Sequence, residues 1–141
     1  MTEPATATRR AEVELRLPAV SAYASVLRTT TAGLAARLDF TIDDIEDLRI
    51  AVGEAHATVL EHADDGGDLV CTFRLAPGEM VIEVTAPTST DVVPDRDSFA
   101  WQVLSTLATS AEIDVADGRV SVSMTMHSSA GAASGDATGP A

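Results

Sequence analysis

Glu54 and Thr58 lie four residues apart in the most strongly patterned stretch of the chain, residues 41–63. At about 100° per residue, these two side chains share one side of a helix with Ile50 and Glu61. The opposite side carries an apolar stripe at the 3, 4, 3, 4 spacing of an amphipathic helix, formed by Ile45, Leu48, Val52, Ala55 and Val59. We expect the stripe to be buried and any chemistry to use the carboxylate and hydroxyl on the other edge.

Three further residues could do chemistry, namely His56, His62 and Cys71. Their spacing matches no zinc pattern, and a separation of six places the two histidines on different helix faces. Cys71 lies within an apolar strand pattern, which favours a small buried hydrophobe over a reactive thiol. We therefore expect no metal site, and a single cysteine is typical of a reducing cytoplasm.

The composition excludes several classes of function. The chain has no Lys, which removes a phosphate-loop lysine, a Schiff base and a Ser-Lys dyad. Its 22 acidic and 9 basic residues give a formal charge of −13, which argues against direct nucleic-acid binding and favours a basic protein partner. Neither a signal peptide nor an apolar run of about 18 residues is present, so we expect a cytoplasmic protein that does not enter a membrane.

Local patterns predict the order strand, two helices, two strands, a helix and two strands. Alternating apolar residues mark the strands, at residues 12–17, 69–75, 80–85, 113–115 and 120–126. Helical spacing marks residues 20–38, 41–63 and 98–108, with Thr41 and Asp44 as a weak capping box and Ser98 as an N-cap. In the first helix the predicted buried stripe is Val20, Tyr23, Ala24, Leu27, Leu34 and Leu38.

This order predicts an α/β sandwich of the α+β type, with one mixed, mostly antiparallel sheet of about five strands and helices on one face. With 141 residues, 45% of them hydrophobic, the chain is long enough for one domain with its own core. We place that domain at residues 11–127, between a flexible arm at 1–10 and a Ser/Ala/Gly-rich, disordered tail at 128–141.

The central helix resembles that of the anti-sigma factor and serine kinase family of the RsbW type, which has the histidine-kinase-like ATPase fold. The residues 47–55, Asp-Leu-Arg-Ile-Ala-Val-Gly-Glu-Ala, are similar to the family pattern D-L-x-x-A-V-x-E-A. His62-Ala63 matches the H-A that closes the same helix, and Leu17-Pro18-Ala19 matches the end of the first strand. The resemblance extends over about residues 12–126 and implies that Glu54 is the catalytic base if the chain is a kinase.

The departures from the family pattern fall on the nucleotide site. The resemblance assigns Mg²⁺ binding to an Asn four residues after the Glu, and this position is Thr58. It assigns adenine recognition to a D-x-G motif, and Ala86 and Thr88 stand there. It assigns phosphate binding to a G-x-G-L loop, replaced by Ser98, Phe99, Ala100 and Trp101. Lost contacts of about 1.5 to 3 kcal/mol each predict little Mg-ATP binding, so we expect no cofactor.

The same replacements, with Asp91-Val92-Val93-Pro94 upstream, resemble the degenerate actinobacterial UsfX-type branch of the family. That resemblance implies an anti-sigma factor, a homodimer, which sequesters a stress or sporulation sigma factor and is released by an anti-anti-sigma protein of the STAS fold. Arg28 and Tyr23 on the first helix are the expected partner contacts. An ATP-dependent protein serine kinase and a small-ligand sensor that reuses the old pocket are the alternatives.

The replaced loop contains two aromatic residues, and the sequence leaves two roles open for them. Phe99 and Trp101 could fill the vacated nucleotide cavity or form a recognition patch, and we expect core packing for both. The sequence does not identify the sigma factor, the releasing signal or the stoichiometry of a complex.

Overall fold

The computed structural model describes residues 11–130, which form a five-stranded sheet covered on one face by three α-helices. The strands are β1 Ala11–Pro18, β2 Asp68–Ala76, β3 Glu79–Pro87, β4 Ser110–Ala116 and β5 Arg119–His127. The α-helices are α1 Ala24–Ala36, α2 Ile42–His62 and α3 Phe99–Leu107, and a 3₁₀ turn at Ser21–Tyr23 precedes α1. The predicted arm and residues 131–141 of the predicted tail lie outside the described part of the chain.

The sheet has the order β1-β2-β3-β5-β4, and every neighbouring pair is antiparallel. The predicted α+β sandwich is therefore confirmed, and the sheet is fully antiparallel where a mixed one was expected. Both predicted hairpins are present, with Gly78 and Gly118 at positive φ in their turns, where a residue without a Cβ adopts the left-handed conformation most easily.

Alternation along the strands produces one apolar and one polar face of the sheet. In β3, Met80, Ile82, Val84 and Ala86 are buried, whereas the residues between them are partly exposed. The buried side chains of all five strands pack beneath the helices in one core. Because the helices cover only this face, the other face presents mainly Glu, Arg, Ser and Thr to solvent.

Helix α2 lies in the middle of the helical layer and packs against α1, α3, β3 and β5. The capping box that the sequence predicts is confirmed at its start. Thr41 Oγ1 accepts a hydrogen bond from the Asp44 backbone N–H at 3.1 Å, and Asp44 Oδ2 accepts one from the Thr41 N–H at 3.2 Å. Two backbone donors that the helix leaves unpaired are thereby satisfied.

The predicted stripe of the first helix is wrong at its beginning. Val20 and Tyr23 are 48% and 37% exposed, because the 3₁₀ turn advances by about 120° per residue and shifts the phase before α1 begins. The fully buried positions of α1 are Leu27, Thr31 and Ala35. The Thr31 hydroxyl donates to the Leu27 carbonyl at 2.8 Å, so this polar group enters the core with a partner.

No helix among residues 11–130 combines the length and the apolar character needed to cross a membrane.

Candidate functional site

Glu54 and Thr58 differ in burial, although the sequence predicts that both lie on one exposed edge of the helix. Glu54 is half-buried and Ile50 is 47% exposed, as expected of that edge, but Thr58 is only 5% exposed. The prediction for Thr58 is wrong because α2 is flanked by a helix on each side and buries a wider arc than an amphipathic surface helix. Its buried residues are Leu48, Ala51, Val52, Ala55, His56, Thr58 and Val59.

Ala86 and Thr88, the positions of the adenine-reading motif, are also buried, with 0% and 6% of their surfaces exposed. The Thr88 hydroxyl donates a hydrogen bond to the carbonyl oxygen of His62, at the end of α2. The Thr88 backbone N–H donates to the Gly118 carbonyl at 2.9 Å. Thr88 thus uses its polar groups to connect the loop after β3 with α2 and the β4–β5 turn.

A second pair of contacts reinforces this connection. The Asp64 N–H donates to the Pro87 carbonyl at 2.9 Å, and both carboxylate oxygens of Asp64 accept hydrogen bonds from Ser89. Consequently, the position where the family places an adenine-binding carboxylate and glycine is occupied by a closed network of side-chain and backbone contacts.

At the replaced phosphate loop, the structure starts helix α3. Ser98 is the N-cap, and its hydroxyl oxygen accepts a hydrogen bond from the Trp101 N–H at 3.1 Å. Trp101 is 9% exposed, which confirms its predicted core packing, and Ala100 is half-buried. Phe99 is 80% exposed, so the expectation of core packing is wrong for this residue, because at about 100° per residue it lies on the opposite side of α3 from the buried Trp101 and Leu104.

The structure brings Arg28 and Glu54 together at an open depression of about 370 Å³ between α1 and α2. Arg28 lies directly over Gly53, where an added Cβ would be 3.3 Å from Arg28 Nη1. Among the described residues, neither Arg28 nor Arg49, which also lines the depression, forms an ion pair. The depression therefore offers two guanidinium groups with free donors beside two glutamates, Glu46 and Glu54.

Sequence reasoning missed Gly53 and Arg49 as parts of this site. A glycine in the middle of a strongly patterned helix destabilises it by about 0.5–1 kcal/mol relative to alanine. This unfavourable residue type was the feature of the sequence that could have pointed to Gly53. Tyr23 does not line the depression and lies on the 3₁₀ turn that leads into α1.

His56 is a buried residue with a titratable side chain. It is 2% exposed, and its Nε2 has no hydrogen-bond partner among the described residues. Burial lowers the pKa of His56, and the positive charge of the nearby Arg28 lowers it further. The buried side chain of His56 on α2 is therefore a neutral imidazole near Arg28 of α1.

Cys71 is buried in the core, and His62 contacts the backbone of its own helix. Cys71 is completely buried in β2, and burial raises the pKa of its thiol to about 12. His62 Nδ1 lies 3.2 Å from the Thr58 carbonyl within α2. Within residues 11–130, no three His, Cys, Asp or Glu side chains are grouped so that they could hold a metal ion.

Comparisons with known proteins find sequence similarity over about half of the chain. No family model matches the chain. A serine-protein kinase RsbW of Halalkalibacterium halodurans is 46% identical over 74 residues, which cover 52% of this chain and 46% of that protein. A serine-protein kinase RsbW of Bacillus thuringiensis is 37% identical over 75 residues, covering 52% and 47%. The chain thus matches about half the length of these curated relatives.

A solved structure extends the likeness of the fold to most of the chain. The crystal structure of the RsbU and RsbW domains of a Mycobacterium tuberculosis protein superposes with a TM-score of 0.65 and 22% identity, over 84% of this chain and 32% of that one. The chain is therefore similar in sequence to serine-protein kinases RsbW over about half its length, and it has the fold of an RsbW domain.

Proposed function

We propose that the chain is an anti-sigma factor, which binds an alternative sigma factor of the stress or sporulation type and thereby inhibits transcription. The observation that carries the proposal is Arg28, which lies over Gly53 and has no ion-pair partner within residues 11–130. Arginine is enriched at the energetic centres of protein interfaces because its fork of donors binds carboxylates in a defined geometry.

The state of the nucleotide-site positions supports a binding protein over an enzyme. Thr58, Ala86 and Thr88 are buried, so a nucleotide would have to open the fold to reach them. Thr88 already uses its hydroxyl and its N–H within the protein. We accordingly propose that the chain needs no cofactor and that Mg-ATP binds weakly at most.

The proposed working surface is the side of α1 and α2 that carries Arg28, together with the exposed Tyr23 on the 3₁₀ turn before α1. An anti-anti-sigma protein of the STAS fold would compete with the sigma factor for this surface, as the RsbW resemblance implies. We further propose that the protein acts in the cytoplasm, as a homodimer, without contacting nucleic acid itself. Its net charge of −13 suits a basic protein partner.

A protein serine kinase is the second candidate function. Two observations favour it, namely the sequence similarity to serine-protein kinases RsbW and the half-buried Glu54 at the edge of the depression, where a carboxylate could serve as a base. Incubation of the chain and a candidate STAS protein with Mg-ATP separates the two proposals. Transfer of phosphate to the STAS protein that depends on Glu54 would establish the kinase.

Co-expression with candidate sigma factors followed by affinity capture and size-exclusion chromatography tests the main proposal. We expect one of them to form a stable complex with the wild-type chain. Arg28→Glu should disrupt that complex, whereas Arg74→Glu, on the outer face of the sheet, should not. Failure of every candidate to bind, or equal binding by Arg28→Glu, would contradict the proposed function or its assignment to this surface, respectively.

A further inference from the structure

A second surface lies on the other side of Ile50, in a groove between α2 and α3 that is separate from Arg28. This α2–α3 groove has a volume of about 430 Å³ and is lined by Ile50, Phe99, Gln102, Val103, Thr106 and Leu107. None of these side chains is charged. Phe99 stands at one end with 80% of its surface exposed, and Ile50 is 47% exposed on the opposite wall.

Because Phe99 is exposed, its side chain contributes little to the stability of the fold. A fully buried phenylalanine stabilises a protein by about 1.5–3 kcal/mol, and an exposed one gives up most of that gain. Singly exposed apolar residues are common, but here the aromatic ring adjoins a concave apolar wall. This combination is typical of a site that covers a partner's apolar ridge.

The charges at the end of the groove indicate the partner's chemistry. Asp95 and Asp97 are exposed just before α3, and Gln102 of the groove donates to the Asp97 carbonyl at 3.4 Å. Between them, Arg96 turns away and donates to the Ile113 carbonyl of β4 at 3.0 Å. Helix α3 itself has no charged residue, so the charges next to this end of the groove are those of Asp95, Arg96 and Asp97, two negative and one positive, which leave a net negative charge.

The charges along the α2 wall do not offset this net negative charge. Glu46, Glu54, Arg49 and Arg28 all line the neighbouring depression on the α1 side, where two negative and two positive charges cancel, so they add no net charge beside the groove. With a chain charge of −13, this groove should attract a basic partner more strongly than a second copy of the same protein, so the proposed homodimer would form through another surface.

From this juxtaposition we infer that the α2–α3 groove binds an amphipathic α-helix of another protein, with an apolar ridge flanked by Lys or Arg. Phe99 and Ile50 clasp the apolar ridge, and Asp95 and Asp97 face the basic flank. The inference does not depend on the partner being a sigma factor or on a role for Arg28.

Fluorescence anisotropy with three synthetic helical peptides of about 18 residues tests the inference. One peptide has Leu at helical spacing with Lys elsewhere, the second keeps the Leu and replaces Lys by Glu, and the third keeps the Lys and replaces Leu by Ser. We expect the Leu/Lys peptide to bind at least about tenfold more tightly than either of the others.

The variants Phe99→Ser and Ile50→Ser should weaken Leu/Lys peptide binding by about tenfold each, because each removes apolar contact area. Val26→Ser is the matched control, since Val26 is 41% exposed on α1 and does not line the groove. Circular dichroism and urea unfolding verify that each variant is folded. The pair of groove variants keeps the test valid if one of them is unstable.

Three outcomes would overturn the inference. Equal binding of the Ser/Lys peptide would reveal general attraction to an acidic protein, and unchanged binding by both groove variants would place the peptide elsewhere. A concentration-dependent dimer in analytical ultracentrifugation that Phe99→Ser abolishes would assign the groove to a second copy of this chain.

Discussion

The backbone N–H and the hydroxyl of Ser129 both donate hydrogen bonds to Oδ2 of Asp44, at 2.8 and 3.0 Å. The same carboxylate forms half of the capping box with Thr41 at the start of α2. Ser128, the residue before Ser129, forms two further hydrogen bonds. Its backbone N–H donates to the Gly78 carbonyl, and its hydroxyl donates to the Asp39 carbonyl. The segment after β5 therefore braces both the β2–β3 turn and the beginning of the central helix.

Ser129→Ala should lower the free energy of unfolding by about 0.5–1.5 kcal/mol, because it removes one charge-assisted hydrogen bond from Asp44. Urea denaturation followed by circular dichroism measures the change. Ser25→Ala, at an exposed position of α1, is the control and should change the stability by less than about 0.5 kcal/mol. Equal stabilities of the two variants would show that the brace contributes nothing.

The brace should also weaken in acid. Partial burial by itself would raise the pKa of Asp44, but the hydrogen bonds from Ser129 and Thr41 outweigh it and hold the pKa below its ordinary 3.8. Because the folded-state pKa is lower than the unfolded one, the contribution of Asp44 is fully present above about pH 4–5 and is lost as the pH falls through the folded value.

Urea unfolding of wild type and Asp44→Asn between pH 6 and pH 3 measures this dependence. The difference in unfolding free energy between the two proteins should be constant above about pH 5 and shrink below about pH 4. A difference that stays constant down to pH 3 would contradict the lowered pKa.

Gly53→Ala should separate stability from partner binding. Alanine in a helix interior is more stable than glycine by about 0.5–1 kcal/mol. Its Cβ would press on the Arg28 guanidinium, whose Nη1 would be 3.3 Å away, and the flexible arginine must move. We expect a more stable protein that binds the proposed sigma-factor partner about fivefold or more weakly, equivalent to about 1 kcal/mol.

Gly33→Ala is the matched control for this experiment. Gly33 also lies within a helix, and a Cβ added there would meet nothing within 4 Å. Its substitution should give a similar gain in stability and leave binding of the sigma factor unchanged. If Gly53→Ala also binds normally, the seating of Arg28 on Gly53 is irrelevant to the partner.

His56→Leu should make stability less dependent on pH between about 7 and 5. The pKa of His56 is lowered by burial and by Arg28, so the unfolded chain binds the proton more readily than the folded one. Wild-type stability is therefore complete above the unfolded pKa of about 6.5 and falls as the pH drops below it. Urea unfolding at pH 8, 6.5 and 5.5 gives the comparison.

Nε2 of His56 is buried and has no hydrogen-bond partner in the described part of the chain, so replacing the imidazole by an apolar side chain of similar size should cost little stability at pH 8. A wild-type protein that is equally stable at pH 8 and pH 5.5 would contradict the description of His56 as a buried neutral base.

The elements of this fold could be predicted from sequence because their signals are local. Alternation in β3 and the apolar stripe of α2 each depend on a single buried face, which the sequence records directly. The cap at Thr41 is similarly local, since its two partners lie three residues apart. These predictions required no knowledge of how the elements are arranged.

The errors arose where burial depends on a neighbour in space. Thr58 is buried because helices flank α2 on both sides. Phe99 is exposed because α3 turns its other side, with Trp101 and Leu104, toward the core. The contact between Ser129 and Asp44 joins residues that are 85 positions apart in sequence, so no local pattern indicates it. The pairing of Arg28 with Gly53 likewise depends on how α1 crosses α2.

Isothermal titration of the protein with Mg-ATP tests most directly the claim that this chain is a binding protein with a closed nucleotide site. With Thr58, Ala86 and Thr88 buried and the Thr88 hydroxyl bonded within the fold, we expect no saturable heat up to about 1 mM nucleotide. Saturable binding with a Kd in the micromolar range would contradict the account and favour the protein kinase.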